Sequence, residues 1–360
     1  MNTQASQHPR SHLHAFMPNN MSDTQRILDA NCNRACEGLR VVEEFARFVL
    51  NDQTLTTAFK GIRHELAATI QKNAPNCAEF RDTLGDVGTT VTTAGESYRS
   101  DAQHVAAANL QRIQQSLRCL EEYGKLVSPQ LGGNVERLRY QVYTLQTALL
   151  RSNRRDIEAC KLYVLTDLAD CEDDFNARIA LWIEQGVHII QLRDKSAADR
   201  LLVDRARLAL QQTRQSETRL IINDRADIAA VTQADGVHVG QDELSVADAR
   251  RIVGSGPLVG VSTHTVDQVQ QAVLDGADYI GCGPTFVSQT KSFDAFSGLE
   301  FLQAANRLTS LPAFAIGGIT LRNVDLVLEA GFTRIAAQGE IQYADDPADV
   351  IGQFRQKLGS

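Results

Sequence analysis

Apolar positions follow two different rhythms along this chain, and the change falls near residue 153. Before it, apolar residues recur at spacings of three and four. Ala35, Leu39, Val42 and Phe45 share one side of a helix at 100° per residue. After it, short apolar runs alternate with amphipathic stretches such as FNARIALWIEQ, AADRLLVDRARLALQQT and LRNVDLVLEA. The runs at 161–166, 187–193, 219–223, 236–240, 258–262, 279–283, 312–317 and 333–337 predict eight strands separated by helices. Eight such units over about 200 residues predict a (β/α)8 TIM barrel, an α/β fold preceded by a mainly α-helical part. An open doubly wound sheet is the alternative. Its dinucleotide fingerprint is missing, because Gly281-Cys282-Gly283-Pro284 stops after two glycines.

The helical part contains an internal repeat. The stretch from Asn31 to Arg47 and that from Asn109 to Lys125 both read N-x-x-R-x-x-x-x-L-R-x-x-E-E-aromatic-x-basic. A second helical stretch follows each copy, around 54–72 and 134–150, so two related hairpins are expected to form a four-helix arrangement. The wheel places Asn31, Arg34, Asn109 and Arg112 with the apolar residues, and Glu43, Glu44, Glu121 and Glu122 opposite, with Glu43–Arg47 and Glu121–Lys125 as outward i,i+4 pairs. A buried arginine needs a partner. Either Arg34 and Arg112 pair inside the bundle or they line an anionic pocket. Between the hairpins runs a connection of about 28 residues carrying Arg81, Asp82, Asp86, Glu96 and Arg99. Connections of that length are often functional, with a solvated loop as the plain alternative.

Polar chemistry in the second part gathers at strand C-termini, which in a parallel barrel open on one face. Gln191, Arg193 and Lys195 end one run, Asn223 and Asp224 the next, and Gln241, Asp242 and Glu243 a third. Ser262, Thr263 and His264 end a fourth, Ser288, Thr290 and Lys291 follow a fifth, and Gly317-Gly318 end a sixth. Arg193, Lys195 and Lys291 suit a diphosphate. Asp224 and Glu243 are oxygen ligands of the kind Mg²⁺ takes when substrate phosphates complete its shell. Gly317-Gly318 and Gln338-Gly339 let backbone N–H groups approach a second anion. His238 and His264 are expected to be structural.

Composition narrows the classes. A net charge of -8 argues against nonspecific nucleic-acid binding, and no apolar run is long enough for a membrane helix. Residues 1–20 read as a disordered polar tail without a secretion-signal core, 21–153 as the helical domain and 159–360 as the barrel domain. Seven cysteines without a CxxC pair read as reduced cytoplasmic thiols, and the Cys32–Cys36 spacing lacks further metal ligands nearby.

QLRDK, the Asn223-Asp224 pair, GVHVGQDE, GVSTH, GCGPTF with S-x-T-K, and AIGGI stand together as they do in thiamine-phosphate synthase, which this part of the chain resembles. The resemblance implies condensation of hydroxymethylpyrimidine diphosphate with a thiazole phosphate to thiamine phosphate and pyrophosphate, with Mg²⁺. It implies that Gln191, Arg193, Lys195, Asn223, Ser262 and Lys291 hold the pyrimidine diphosphate, and that Leu192 and Asp194 of the same motif are substrate-binding residues too. Among these Arg193, Lys195, Ser262 and Lys291 would be catalytic. Asp224 and Glu243 would bind the metal, and Ser288, Thr290, Gly318, Gln338 and Gly339 the thiazole phosphate, with Gln289 of that motif substrate-binding as well. Three departures stand out. Glu243 replaces an aspartate, Ser288 a threonine, and Gln338-Gly339-Glu340 a serine-bearing stretch, which places an acid near a phosphate.

NRACEGLRVVEEFARF, RDTLGDVG and NLQRIQQSLRCLEEYGK resemble the small domain often fused ahead of that synthase. This implies ATP-dependent phosphorylation of hydroxymethylpyrimidine phosphate, with Asn31, Arg34, Arg81, Asp86, Asn109 and Arg112 as candidate site residues. No nucleotide motif supports ATP independently. A noncatalytic dimerisation or docking module is the competing reading, and a homo-oligomer is left open by either. For the barrel the competitor is a thiazole tautomerase-like isomerase, against which Lys195, Asn223-Asp224 and Lys291 argue.

Overall fold

The computed structural model describes residues 21–81, 98–151, 157–287 and 297–360. Four long helices come first: α1 (Met21–Phe48), α2 (Gln53–Asn73), α3 (Ala102–Val127) and α4 (Pro129–Arg151). Eight parallel strands follow and close in sequence order, β8 pairing with β1. They are β1 (Leu162–Thr166), β2 (Ile189–Leu192), β3 (Arg219–Asn223), β4 (Gly236–Val239), β5 (Leu258–Thr263), β6 (Tyr279–Cys282), β7 (Ala313–Ile316) and β8 (Ile335–Ala337). The intervening helices are α5 (Glu172–Glu184), α6 (Asp199–Thr213), α7 (Ala226–Thr232), α8 (Val246–Val253), α9 (Val266–Leu274), α10 (Gly298–Leu308) and α11 (Val324–Glu329). The short α12 (Gly339–Gln342) and α13 (Pro347–Leu358) end the chain. The predicted barrel is thus present, and each predicted strand overlaps an observed one.

Strand side chains alternate between two layers because successive residues point to opposite faces. Tyr163, Leu165, Ile189, Ile221, Leu258, Tyr279, Phe314 and Ala336 fill the barrel interior as a cluster of their own. Leu162, Val164, Ile190, Leu192, Leu220, Ile222 and Val259 face outward and join the core under the helices. Gly260 makes the interior fit, since a Cβ there would lie 2.1 Å from Cζ of Tyr279. The tyrosine ring crosses the barrel where β5 has no side chain.

The helical half differs from the expectation in one respect. Arg34 and Arg112 are exposed, whereas Glu43 and Glu121 are buried, at 3% and 2% exposure. Each arginine stands nine residues before its glutamate, about 180° around the helix, so the two flank the apolar arc on opposite margins. The wheel alone cannot tell which margin a neighbour will cover. In each hairpin the second helix covers the glutamate margin and brings an arginine to it. Glu43 accepts from Arg40 Nη1 at 3.1 Å and from Arg63 Nε at 3.0 Å. Glu121 accepts from Arg118 Nη1 and Arg139 Nε, both at 2.7 Å. Glu121 also lies 3.6 Å from Lys125, so that expected pair forms beside the buried one.

Helices α2 and α4 lie against α9, and α2 also against α10. A buried carboxylate fixes this joint. Asp52, 1% exposed, caps α2 through Leu55 N at 2.8 Å and accepts from Thr309 Oγ1 at 2.8 Å and Ser310 N at 3.1 Å. Thr54 Oγ1 adds a bond to Leu308 O at 3.0 Å. Among the described residues, no helix is long and apolar enough to cross a membrane.

Two substitutions test these buried charges in urea unfolding of the full chain. Asp52→Ala removes a cap and orphans two donors at the joint, and should cost about 2–4 kcal/mol. Glu121→Ala leaves Arg139 buried without its carboxylate and should cost about 3–5 kcal/mol. By contrast Arg112→Ala should stay within about 0.5 kcal/mol of the parent, as an exposed site does.

Candidate active site

A cavity of about 1090 Å³ opens at the C-terminal ends of the strands. That is the size of a small-molecule site. Gln191 on β2 with Arg193 and Lys195 just after it, Asn223 ending β3 with Asp224 after it, Glu243 after β4 and Ser262 on β5 all line it. The strand period explains the first three, since alternate residues face the same way. It also explains why two motif neighbours do not line it. Leu192 is fully buried in the outer core layer. Asp194 turns to its own loop, accepting from Ser196 N at 3.0 Å and Ala197 N at 3.1 Å.

Lys195 stands between two carboxylates, with Nζ 3.3 Å from Asp224 Oδ2 and 3.3 Å from Glu243 Oε1. Partial burial pulls the ammonium pKa down, but the two acids outweigh it and hold it above its ordinary value. Asp224 reaches this position through a left-handed backbone, φ 61, which Asp tolerates better than most residues. Its N–H donates to His238 O at 2.8 Å and anchors the turn. Two carboxylates on adjacent strands converging on one cation are a fitting donor set for Mg²⁺, provided phosphate and water oxygens supply the rest. Among the described residues, no cluster of three or more His, Cys, Asp or Glu side chains offers a complete protein cage.

Beneath the cavity floor runs a line of buried hydrogen bonds. Gln191 Nε2 donates to the Tyr163 hydroxyl at 2.6 Å. The Tyr163 and Tyr279 oxygens are 3.1 Å apart, Tyr279 Oη lies 3.2 Å from His238 Nδ1, and His238 Nε2 lies 3.0 Å from Ser262 Oγ. Burial, with Arg193 nearby, lowers the His238 pKa to about 4, so the ring is neutral. Sequence reasoning set His238 aside as structural and passed over Tyr163 and Tyr279, yet all three line the cavity. Their shared inward parity with Gln191 and Ser262 was the available signal. His264 also lines the cavity, its Nδ1 bonded to Gly283 O.

On the other side of the mouth stand Gly317, Gly318, Gln338 and Gly339. Gly318 has φ 63, and a Cβ there would fall 2.5 Å from Val287 O, so only glycine fits this turn beside the cavity. Glu340 lines the cavity too, but its Oε1 accepts from Leu321 N at 3.1 Å, which ties one carboxylate oxygen to the adjacent loop. Ser288, Gln289, Thr290 and Lys291 lie outside the described residues, as does Asp86 of the helical half.

The remaining helical candidates are not brought to one pocket in the described residues. Asn31 and Asn109 each donate to a carbonyl of their own helix, Ile27 O at 2.9 Å and Val105 O at 2.8 Å. Arg81 forms a two-pronged bridge to Asp29, at 2.7 and 2.8 Å.

Cations, carboxylates and glycine turns on one barrel mouth define a (β/α)8 enzyme that receives anionic small molecules. A model of the thiamine monophosphate synthase family matches residues 162–341, and a model of the ThiD2 family matches residues 26–148. The thiamine-phosphate synthase of Rhodopirellula baltica is 47% identical over 329 residues, covering 88% of each chain. That of Synechocystis sp. is 40% identical over 334 residues, covering 92% of this chain and 96% of its own. Among solved structures, the thiamine phosphate pyrophosphorylase from Pyrococcus furiosus is 30% identical with a TM-score of 0.50, covering 58% of this chain and 98% of that one. The chain belongs to the thiamine-phosphate synthase family, transferases of thiamine biosynthesis.

His238 yields a pH prediction. Its folded pKa of about 4 lies below the ordinary 6.5, so the folded state binds this proton less readily than the unfolded state. Stability from this group is full above about 6.5 and falls as pH drops towards about 4. Urea unfolding above and inside that window should show a shallower acid-side loss for His238→Asn than for the parent. Equal slopes would mean that the imidazole titrates normally.

Proposed function

We propose that the barrel joins 4-amino-2-methyl-5-hydroxymethylpyrimidine diphosphate to 4-methyl-5-hydroxyethylthiazole phosphate, giving thiamine phosphate and pyrophosphate. The observation that carries this reading is the Lys195–Asp224–Glu243 cluster beside Arg193 in the cavity. Its mixture of fixed cations and paired carboxylates suits a metal-bound diphosphate rather than a neutral ligand. Arg193 and Lys195, with Lys291 by resemblance, bind the diphosphate oxygens. Gln191, Asn223 and Ser262 orient the pyrimidine. Asp224 and Glu243 would hold Mg²⁺, which would neutralise charge on the diphosphate.

The bond from the pyrimidine methylene carbon to the diphosphate oxygen breaks, and the leaving group keeps the electron pair. The thiazole nitrogen lone pair then forms the new C–N bond to the resulting cation. Fixed positive charge where the diphosphate gathers electrons lowers the barrier by several kcal/mol. Gly318, Gln338 and Gly339 hold the thiazole phosphate through backbone N–H groups, together with Ser288 and Thr290. The tie from Glu340 to Leu321 N lessens its conflict with that phosphate.

For the helical half, residues 21–153, we propose an ATP-dependent kinase that makes the pyrimidine diphosphate for the barrel domain, 159–360. The match to the ThiD2 family supports a distinct unit here. An internal duplication of one hairpin is supported by the matched Arg40–Glu43–Arg63 and Arg118–Glu121–Arg139 bridges. A noncatalytic docking module is the second reading, favoured by the Asp52 joint to the barrel.

Full-length protein with Mg-ATP, the pyrimidine monophosphate and the thiazole phosphate should yield thiamine phosphate. The purified pyrimidine diphosphate should be accepted without ATP. Product from the diphosphate alone would select the docking module. Lys291→Ala and Asp224→Ala should lower condensation at least about a hundredfold while leaving the fold intact, and near-normal turnover by either would defeat the site assignment. In the Lys291→Ala background, Arg34→Ala and Arg112→Ala should slow formation of the diphosphate without a change in stability.

A further inference from the structure

The line of hydrogen bonds under the cavity floor has a direction. Gln191 presents Nε2, which can only donate, to the Tyr163 oxygen at 2.6 Å. The opposite orientation would turn the amide N–H groups towards the cavity, on the same strand face as Arg193. Donors would then crowd against a cation, whereas the oxygen is welcome there. With its oxygen accepting from Gln191, Tyr163 must pass its own proton to Tyr279, the hydroxyl 3.1 Å away. Were Tyr279 to donate instead, the Tyr163 proton would be left without an acceptor in a residue only 2% exposed. Tyr279 then gives its proton to His238 Nδ1, at 3.2 Å. That fixes the neutral ring as the Nε2–H tautomer, and Nε2–H donates to Ser262 Oγ at 3.0 Å. The Ser262 proton is thereby freed for the cavity.

We infer that Tyr163, Tyr279 and His238 are positioning residues that set, before any ligand arrives, Gln191 Oε1 as an acceptor and Ser262 Oγ–H as a donor towards the cavity. This rests on the condensation reading above and deepens it. Such polarity selects a ring that offers an amino donor and a ring-nitrogen acceptor, as a 4-aminopyrimidine does. It rejects the 4-oxo analogue, in which the exocyclic group accepts and a ring nitrogen carries the proton.

The first test reads the tautomer in the full-length resting protein by nitrogen-15 NMR, with the His238 signal assigned by its loss in His238→Gln. Nε2–H with an unprotonated Nδ1 supports the inference, and Nδ1–H overturns it, whatever the enzyme condenses. The second test compares kcat/KM for the amino and oxo pyrimidine diphosphates. The parent should prefer the amino compound by at least about a thousandfold, and Tyr279→Phe should reduce that ratio by at least about tenfold. A purely structural tyrosine would slow both substrates alike and keep the ratio, which would overturn the inference. A parent that does not discriminate would do so too. Tyr163→Phe serves as the second variant should Tyr279→Phe fold poorly, since each keeps its ring. Failure of the parent to condense the amino compound at all would sink the condensation reading separately, and the tautomer measurement would still decide the polarity.

Discussion

Two tyrosine hydroxyls enclosed in a parallel barrel must find partners there, because water does not reach them and an unmatched hydroxyl is expensive. That requirement organises the middle of the molecule. Gly260 gives Tyr279 room to cross the interior, the Phe314 and Tyr163 rings pack edge-to-face with centroids 5.3 Å apart, and the two phenol hydroxyls meet. Their remaining hydrogen-bonding capacity runs outward through Gln191 on one side and His238 on the other. The cavity floor is therefore continuous with the barrel core. The electrostatic work lies above it, at strand ends where Lys195 bridges Asp224 and Glu243.

Much of this could be read from residue order alone. The eight strands stood out because apolar runs of strand length alternate with amphipathic stretches. Gln191, Arg193, Lys195, Asn223, Asp224, Glu243 and Ser262 were identified because polar residues at strand C-termini converge in any parallel barrel. Taking QLRDK as a block obscured a distinction that strand parity already contained. Leu192 faces the helices and Asp194 serves its own turn.

Less was legible where partners come from far along the chain. The burial of Glu43 depends on Arg63, twenty residues on, and the burial of Glu121 on Arg139, eighteen residues on. A helical wheel orders angles around one axis and contains nothing about the second helix. For the same reason Arg34 and Arg112 looked enclosed and are exposed. Asp52 reads locally as an ordinary helix cap, and nothing nearby announces that Thr309 and Ser310 will share it. A histidine on an apolar strand, such as His238, reads as satisfied in the core. It is satisfied there, through the hydroxyl that also touches the cavity.

One apolar core runs from the helical bundle into the layer between strands and barrel helices, including both Leu28 and Leu358. With the buried Asp52 joint, this makes the two halves mechanically one body rather than beads on a string. Cutting the chain near residue 153 would bare greasy faces on both products. Engineers wishing to transplant either half would have to repaint the surfaces of α2, α9 and α10 first.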